Sequence, residues 1–156
     1  MLSSSDKYIG LWPPNKWPKF TAQWDLSEKN FKWAFDGWSE EYFNKKYPDG
    51  LRLGTINWQE VDSKLFPGLS LQDTNIWKWH LIQPKLSNII DEWTRSVKLT
   101  PPLVGFGDGI YPPVAGNHRL TVWWASQRGR LVFLYDPKNE NQVISTYESF
   151  LPKGAE

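Results

Sequence analysis

The chain contains no cysteine, which excludes disulfides, thiolate catalysis and cysteine zinc sites. It also carries almost no net charge: 18 Lys and Arg stand against 17 Asp and Glu, for a formal +1. Nonspecific nucleic-acid affinity comes mainly from counterion release by clustered cations, so a strongly electrostatic DNA binder is not expected, while a local basic patch stays open. No apolar run approaches the ~18 to 20 residues that span a bilayer. The opening MLSSSDKYIGLWPPNKWPKF has no charged segment followed by a continuous apolar one, so it does not read as a secretory signal. A cytoplasmic protein with no membrane partner is the expectation.

What is abundant is aromatic surface. Of 156 residues 11 are Trp, and Phe and Tyr bring aromatics to 16%, within a 40% hydrophobic and 22% charged composition that suits one globular domain. Leu11 to Phe20, LWPPNKWPKF, holds three prolines and cannot be a regular helix; it reads as an extended segment packed on the domain through Trp12 and Trp17. From Thr21 to Tyr47 the aromatics Phe31, Phe35, Trp38 and Tyr42 follow helical spacing, with Ser27 as a cap. Gly37 interrupts that pattern, and Asp36-Gly37 can instead be a turn between two short pieces. The interleaved lysines invite base stacking with phosphate neutralisation, but helically spaced aromatics most often form core and the lysines between them its wet face. Residues 1–50 thus read as a Trp- and Pro-rich extension packed on a domain of residues 51–156.

That domain begins with an alternating run, Leu51 to Trp58, that predicts a strand. Apolar residues from Ile76 to Val97 recur in steps of three and four, and Pro84 fits the first turn of a second helix running to about Val97. His80 in this pattern reads as a partly buried residue more readily than as a ligand. Asp91 and Glu92 are adjacent on the helix and point about 100° apart, so they form no carboxylate pair by themselves.

The stretch from Pro101 to Ala125, PPLVGFGDGIYPPVAGNHRLTVWWA, carries the functional signal. Pro101 to Phe106 predicts a short buried strand, Gly107-Asp108-Gly109 a tight connection, and Ile110 to Val114 an antiparallel return that Pro112 and Pro113 confine to a sheet edge. Gly116-Asn117-His118-Arg119 then opens a helix. A helix N-terminus has N–H groups without intrahelical partners and the positive end of the macrodipole, both of which favour an anion. Arg119 adds a planar donor fork suited to phosphate, Asn117 can cap, and His118 can donate, accept or titrate near neutrality. The plainer account is that Gly116 makes a turn, Asn117 caps, and Arg119 pairs with a carboxylate elsewhere. Downstream, Arg128-Gly129-Arg130 predicts the end of the helix, Leu131 to Tyr135 a strand, and Val143 to Phe150 a last strand or helical turn.

Pro101, Pro102, Leu103, Val104, then Gly109 and Tyr111, then Gly116, Asn117, His118, Arg119 and Leu120 together resemble the ParB/sulfiredoxin-like superfamily, over roughly Ile56 to Pro137. The resemblance implies an α/β (α+β) fold, a mixed sheet packed by helices, whose Gly116–Arg119 loop cradles nucleotide phosphates. It implies ATP or CTP with Mg²⁺ as cofactors, a nucleotide and DNA as partners, and ATPase or DNase activity with His118 and Asp108 as catalytic groups and unknown metal ligands. Three departures narrow this. Asn117 stands where sulfinic acid reductases need cysteine; twenty residues after Asp136 leave no room for the DNA-binding and dimerisation parts of partition proteins; and Val122 replaces a small residue one turn after Arg119. The alternative is a non-catalytic protein-interaction module, of the kind that inhibits a partner in phages or plasmids, which keeps the fold and presents its tryptophans to a protein.

Overall fold

A computed structural model describes residues 9, 12–34, 38–67, 83–106 and 114–153. His80, Asp108, Gly109, Tyr111 and the glycine connection at 107–109 lie outside the described residues, as do Asp36-Gly37 and the first part of the helical pattern at 75–82.

The expected mixed α/β architecture is present. Strand β1 (Arg52–Asn57) pairs antiparallel with β4 (Arg130–Tyr135) over its whole length, Arg52 opposite Tyr135 and Asn57 opposite Arg130. Strand β2 (Leu103–Val104) lies parallel to β4, β3 (Val114–Ala115) runs antiparallel to β2, and β5 (Leu151–Pro152) antiparallel to β1. The sheet order is β3-β2-β4-β1-β5, so β3 falls at an edge as its preceding prolines require.

Both faces of the sheet are covered, and β4 records this in its side-chain alternation. Leu131, Phe133 and Tyr135 belong to a large core with the helices α3 (Gln83–Thr94) and α4 (Asn117–Ser126), through Leu86, Ile90, Trp93, Leu120, Val122 and Trp124. Leu134 joins Leu103 and Leu51 in a second, smaller core closed by Phe31, Ala34 and Phe43. Those last three come from a 3₁₀ segment, Glu28–Ala34, and from helix α1 (Glu40–Lys46). The aromatic helix predicted across 31–42 is therefore two pieces. The second has its own cap, the Ser39 hydroxyl accepting from Tyr42 N at 3.1 Å.

The N-terminal segment enters the large core. Trp17 is buried and donates Nε1–H to the carbonyls of Ile9 and Trp12, and residues 23–25 pair with Leu99 through Asp25 N to Leu99 O at 2.8 Å and Leu99 N to Gln23 O at 3.0 Å. Trp12, expected to pack, is instead 47% exposed. It lies five residues ahead of the anchor Trp17, and the 3₁₀ turn Pro14–Lys16 between them buries nothing.

The C-terminal end of α4 is fixed by the segment after β1. Helix α2 (Trp58–Glu60) runs on into a π-helical turn, Val61–Leu65, which brings Phe66 flat against Trp124 at 4.1 Å and Asp62 Oδ1 to Trp124 Nε1 at 2.9 Å. Arg128 caps the carbonyls of Trp124 and Gln127 and lies over the Trp58 ring, while Arg130 donates to Thr55 and to the Ser149 carbonyl. Both arginines thus fasten the fold. Helix α5 (Glu140–Thr146) and β5 complete the tail, which docks through buried Val143 and Tyr147. Among the described residues no helix is long and apolar enough to cross a membrane.

Candidate functional site

The Gly116 loop adopts its conformation because Gly116 has φ 85° and ψ 34°, in the left-handed region that side chains disfavour. A Cβ there would also collide with the guanidinium of Arg119, which folds back over the glycine. Gly116 is the N-cap of α4, and no side chain caps it. Asn117 is the first residue inside the helix, so it is not the cap that its residue type suggested; its carbonyl accepts from Thr121 Oγ1 at 2.8 Å instead.

Arg119 has a structural duty that the motif did not announce. It donates from Nη1 to Trp33 O at 3.4 Å and from Nη2 to Ala34 O at 3.2 Å, the last carbonyls of the 3₁₀ segment, where a cation complements the local dipole. Among the described residues it thus reaches a pair of backbone carbonyls. This contact closes the N-terminal third onto the start of α4.

The loop opens into a cavity of about 460 Å³ lined by Gly116, Asn117, His118 and Arg119 on one side and by Lys85, Asn88, Ile89 and Glu92 of α3 on the other, with Trp38 at its rim. Four of the five expected site residues are therefore together, and Asp108 lies outside the described residues. Helix geometry explains the α3 wall. Positions 85, 88 and 92 fall on one face, while Leu86, Ile90 and Trp93 turn to the core. The same geometry separates Glu92 from Asp91, which pairs with Arg95 at 3.1 Å.

Lys85 and Asn88 do not stand out in the sequence, where Glu92 is noticed only as a neighbour of Asp91 with which it forms no pair. The signal available was the polar spacing opposite the core stripe, which is also how any solvated helix face reads. Chemically, the cavity offers two cations, one carboxylate, one imidazole and two amides around a helix N-terminus. It can hold an oxyanion, and Glu92 or His118 can move a proton or meet a cation accompanying that anion. Among the described residues its walls carry no hydroxyl or thiol nucleophile, and no group of three His, Asp or Glu is arranged to hold a metal. No family model, no curated protein and no solved structure matches this chain.

Proposed function

We propose that the cavity between α3 and the start of α4 binds the phosphates of a nucleotide, and that the protein is a DNA-associated member of the ParB/sulfiredoxin-like superfamily. The observation that carries this reading is the convergence of Lys85, His118 and Arg119 on one cavity at a helix N-terminus whose N-cap is glycine. The superfamily reading is supported by the chain order of α3, β2, an antiparallel β3 and a left-handed glycine feeding α4. In this reading Lys85 and Arg119 are the phosphate cations, and Arg119 also braces the loop. Glu92 is the carboxylate of the cavity that would meet an Mg²⁺ accompanying ATP or CTP, and His118 is the candidate acid or base if hydrolysis follows binding.

Thermal unfolding tests this with ATP, CTP, GTP and single-stranded DNA, each with and without Mg²⁺, on wild type and Lys85→Ala. A nucleotide at 100 times its dissociation constant adds about 2.7 kcal/mol, which raises the midpoint by about 5–10 °C in a domain of this size. The shift is expected in the wild type and is expected to shrink strongly in Lys85→Ala, whose own midpoint stays near that of wild type because Lys85 is exposed. Phosphate release in the same samples decides hydrolysis.

One observation favours the second reading, a non-catalytic interaction module. Trp12, Trp33 and Tyr42 are 47%, 58% and 51% exposed, residue types that are enriched as anchors in protein interfaces. If no ligand moves the midpoint of either protein, this reading takes over.

A further inference from the structure

Arg119 serves two parts of the molecule at once. One is the anion cavity, which it lines together with Lys85 and His118. The other is the end of the 3₁₀ segment Glu28–Ala34, where the Trp33 and Ala34 carbonyls accept from its Nη1 and Nη2. Ala34 itself belongs to both, as a member of the small core and of the cavity wall. Beside it Trp33 is exposed, with Lys32 Nζ over its ring at 5.3 Å and Lys32 also paired with Glu40 of α1 at 3.4 Å. The inside of the cavity and an exposed tryptophan are thus joined through one guanidinium and two peptide groups.

The two uses compete for the same donors. The Nε–Nη2 edge of the guanidinium lies where a Cβ on Gly116 would stand, so that edge is turned to the glycine backbone. The two Nη atoms hold the carbonyls, and an oxyanion gripped end-on needs the same pair. The carbonyl contacts are long, 3.4 Å and 3.2 Å, where about 2.9–3.0 Å is usual, and their acceptors are neutral. A charged oxyanion makes shorter bonds of roughly twice the strength with these donors, and so displaces the carbonyls. The rest of the segment keeps its own anchors, Phe31 in the small core and the Thr100 hydroxyl donating to Asn30 O at 3.1 Å. Displacement therefore frees only the last turn.

Resting on the phosphate-site reading, we infer that Arg119 is a latch: an oxyanion entering the cavity draws the guanidinium off the Trp33 and Ala34 carbonyls and loosens the end of the 3₁₀ segment. The empty protein is the latched form, and part of the binding energy of the anion is spent on opening it. A partner that meets Trp33 therefore meets a different surface in the empty and filled states. Coupling of this kind is reciprocal, so a change that loosens the segment without touching the cavity tightens anion binding.

Calorimetric titration of the full chain with pyrophosphate, with and without Mg²⁺, and amide hydrogen exchange of the same samples separate the latch from the site. Wild type is expected to bind pyrophosphate and, once saturated, to exchange the amides of residues 31–34 at least about threefold faster, while those of β1 and β4 exchange no faster than before. Potassium chloride at equal ionic strength should not produce this acceleration. Arg119→Lys, whose single ammonium cannot hold two carbonyls as the planar fork does, should show the fast exchange at 31–34 without ligand. Thr100→Val lies outside the cavity wall and removes the bond to Asn30; it should raise pyrophosphate affinity by roughly 2- to 10-fold, the range set by one hydrogen bond. Pyrophosphate binding that slows the exchange of 31–34 or leaves it unchanged overturns the latch and leaves the phosphate site standing, as does slow exchange in ligand-free Arg119→Lys. No binding to wild type overturns both. Should Arg119→Lys not fold, Thr100→Val decides: an affinity no higher than that of wild type rejects the latch.

Discussion

At the scale of single residues, Gly116 and Arg119 form one device. The glycine supplies a left-handed turn that an L side chain enters at a cost of about 1–2 kcal/mol, and its missing Cβ leaves the space that the Arg119 guanidinium fills. Gly116→Ala therefore carries two costs, backbone strain and displacement of Arg119 from the Trp33 and Ala34 carbonyls. Urea midpoints should show a loss above 1–2 kcal/mol in the wild-type background and a smaller one in an Arg119→Ala background, where the collision is gone. Equal losses in both backgrounds would mean that the guanidinium does not occupy that space. The motif was legible in the sequence as a helix N-terminus because Gly, Asn, His and Arg carry that meaning locally. The brace was not, since the carbonyls that Arg119 reaches lie 85 and 86 residues away and belong to no side chain.

At the scale of elements, the central pair β1 and β4 was readable from alternation, and β3 at an edge from its prolines. What alternation could not show is how closely the tail crosses β1. A Cβ on Gly54 would overlap the ring of Phe150 and approach Tyr135 Cε1 to 3.2 Å. Gly54→Ala is thus expected to destabilise by about 1–3 kcal/mol, the range for overpacking a well-filled core, even though alanine has the better backbone entropy. Phe150→Leu in the same chain should return part of that loss by opening the space, and denaturant unfolding of the single and double variants measures it. The N-terminal third misled the periodicity for a related reason. Its aromatics at 31, 38 and 42 have helical spacing, but Phe31 lies in the 3₁₀ segment Glu28–Ala34 and Tyr42 in the separately capped helix α1, with Trp38 in neither, so they do not share one helical stripe although Phe31 and Trp38 meet the same small core.

Across the whole molecule, one of the ties that hold the C-terminal tail to the body is a carboxylate, and this tie is the one that responds to acid. Glu60 accepts from Glu148 N and Ser149 N and pairs with Lys64 at 2.8 Å, while Lys64 also reaches the Thr146 carbonyl. Burial alone would raise Glu60, but the hydrogen bonds from Lys64 and Ser149 and the Lys64 charge outweigh it and hold the carboxyl below its ordinary 4.5. Asp25 is likewise held down, chiefly by the Ser27 N–H, despite a smaller opposing effect of burial. For a carboxylate whose folded pKa lies below its unfolded one, the stabilisation is complete above the unfolded value and disappears as pH falls through the folded one. Acid should therefore loosen the tail first, below about pH 4.5. On the alkaline side, burial first and the Glu60 charge second push Tyr147 up to about 12, and burial leads the rise of Tyr47 and Tyr135 as well. A raised phenol stabilises the fold up to its unfolded value near 10 and loses that contribution as pH rises from there to the folded value. Glu60→Gln separates the two limbs. It should cost about 1–3 kcal/mol at pH 7 by weakening hydrogen bonds to a charged group, flatten the fall in stability below pH 4.5, and leave most of the fall above pH 10, because burial of Tyr147 persists when the charge is removed. Urea midpoints at pH 3, 4, 7 and 11 on both proteins check this. An acid limb as steep in Glu60→Gln as in wild type would move the origin of acid sensitivity to Asp25 and the N-terminal segment.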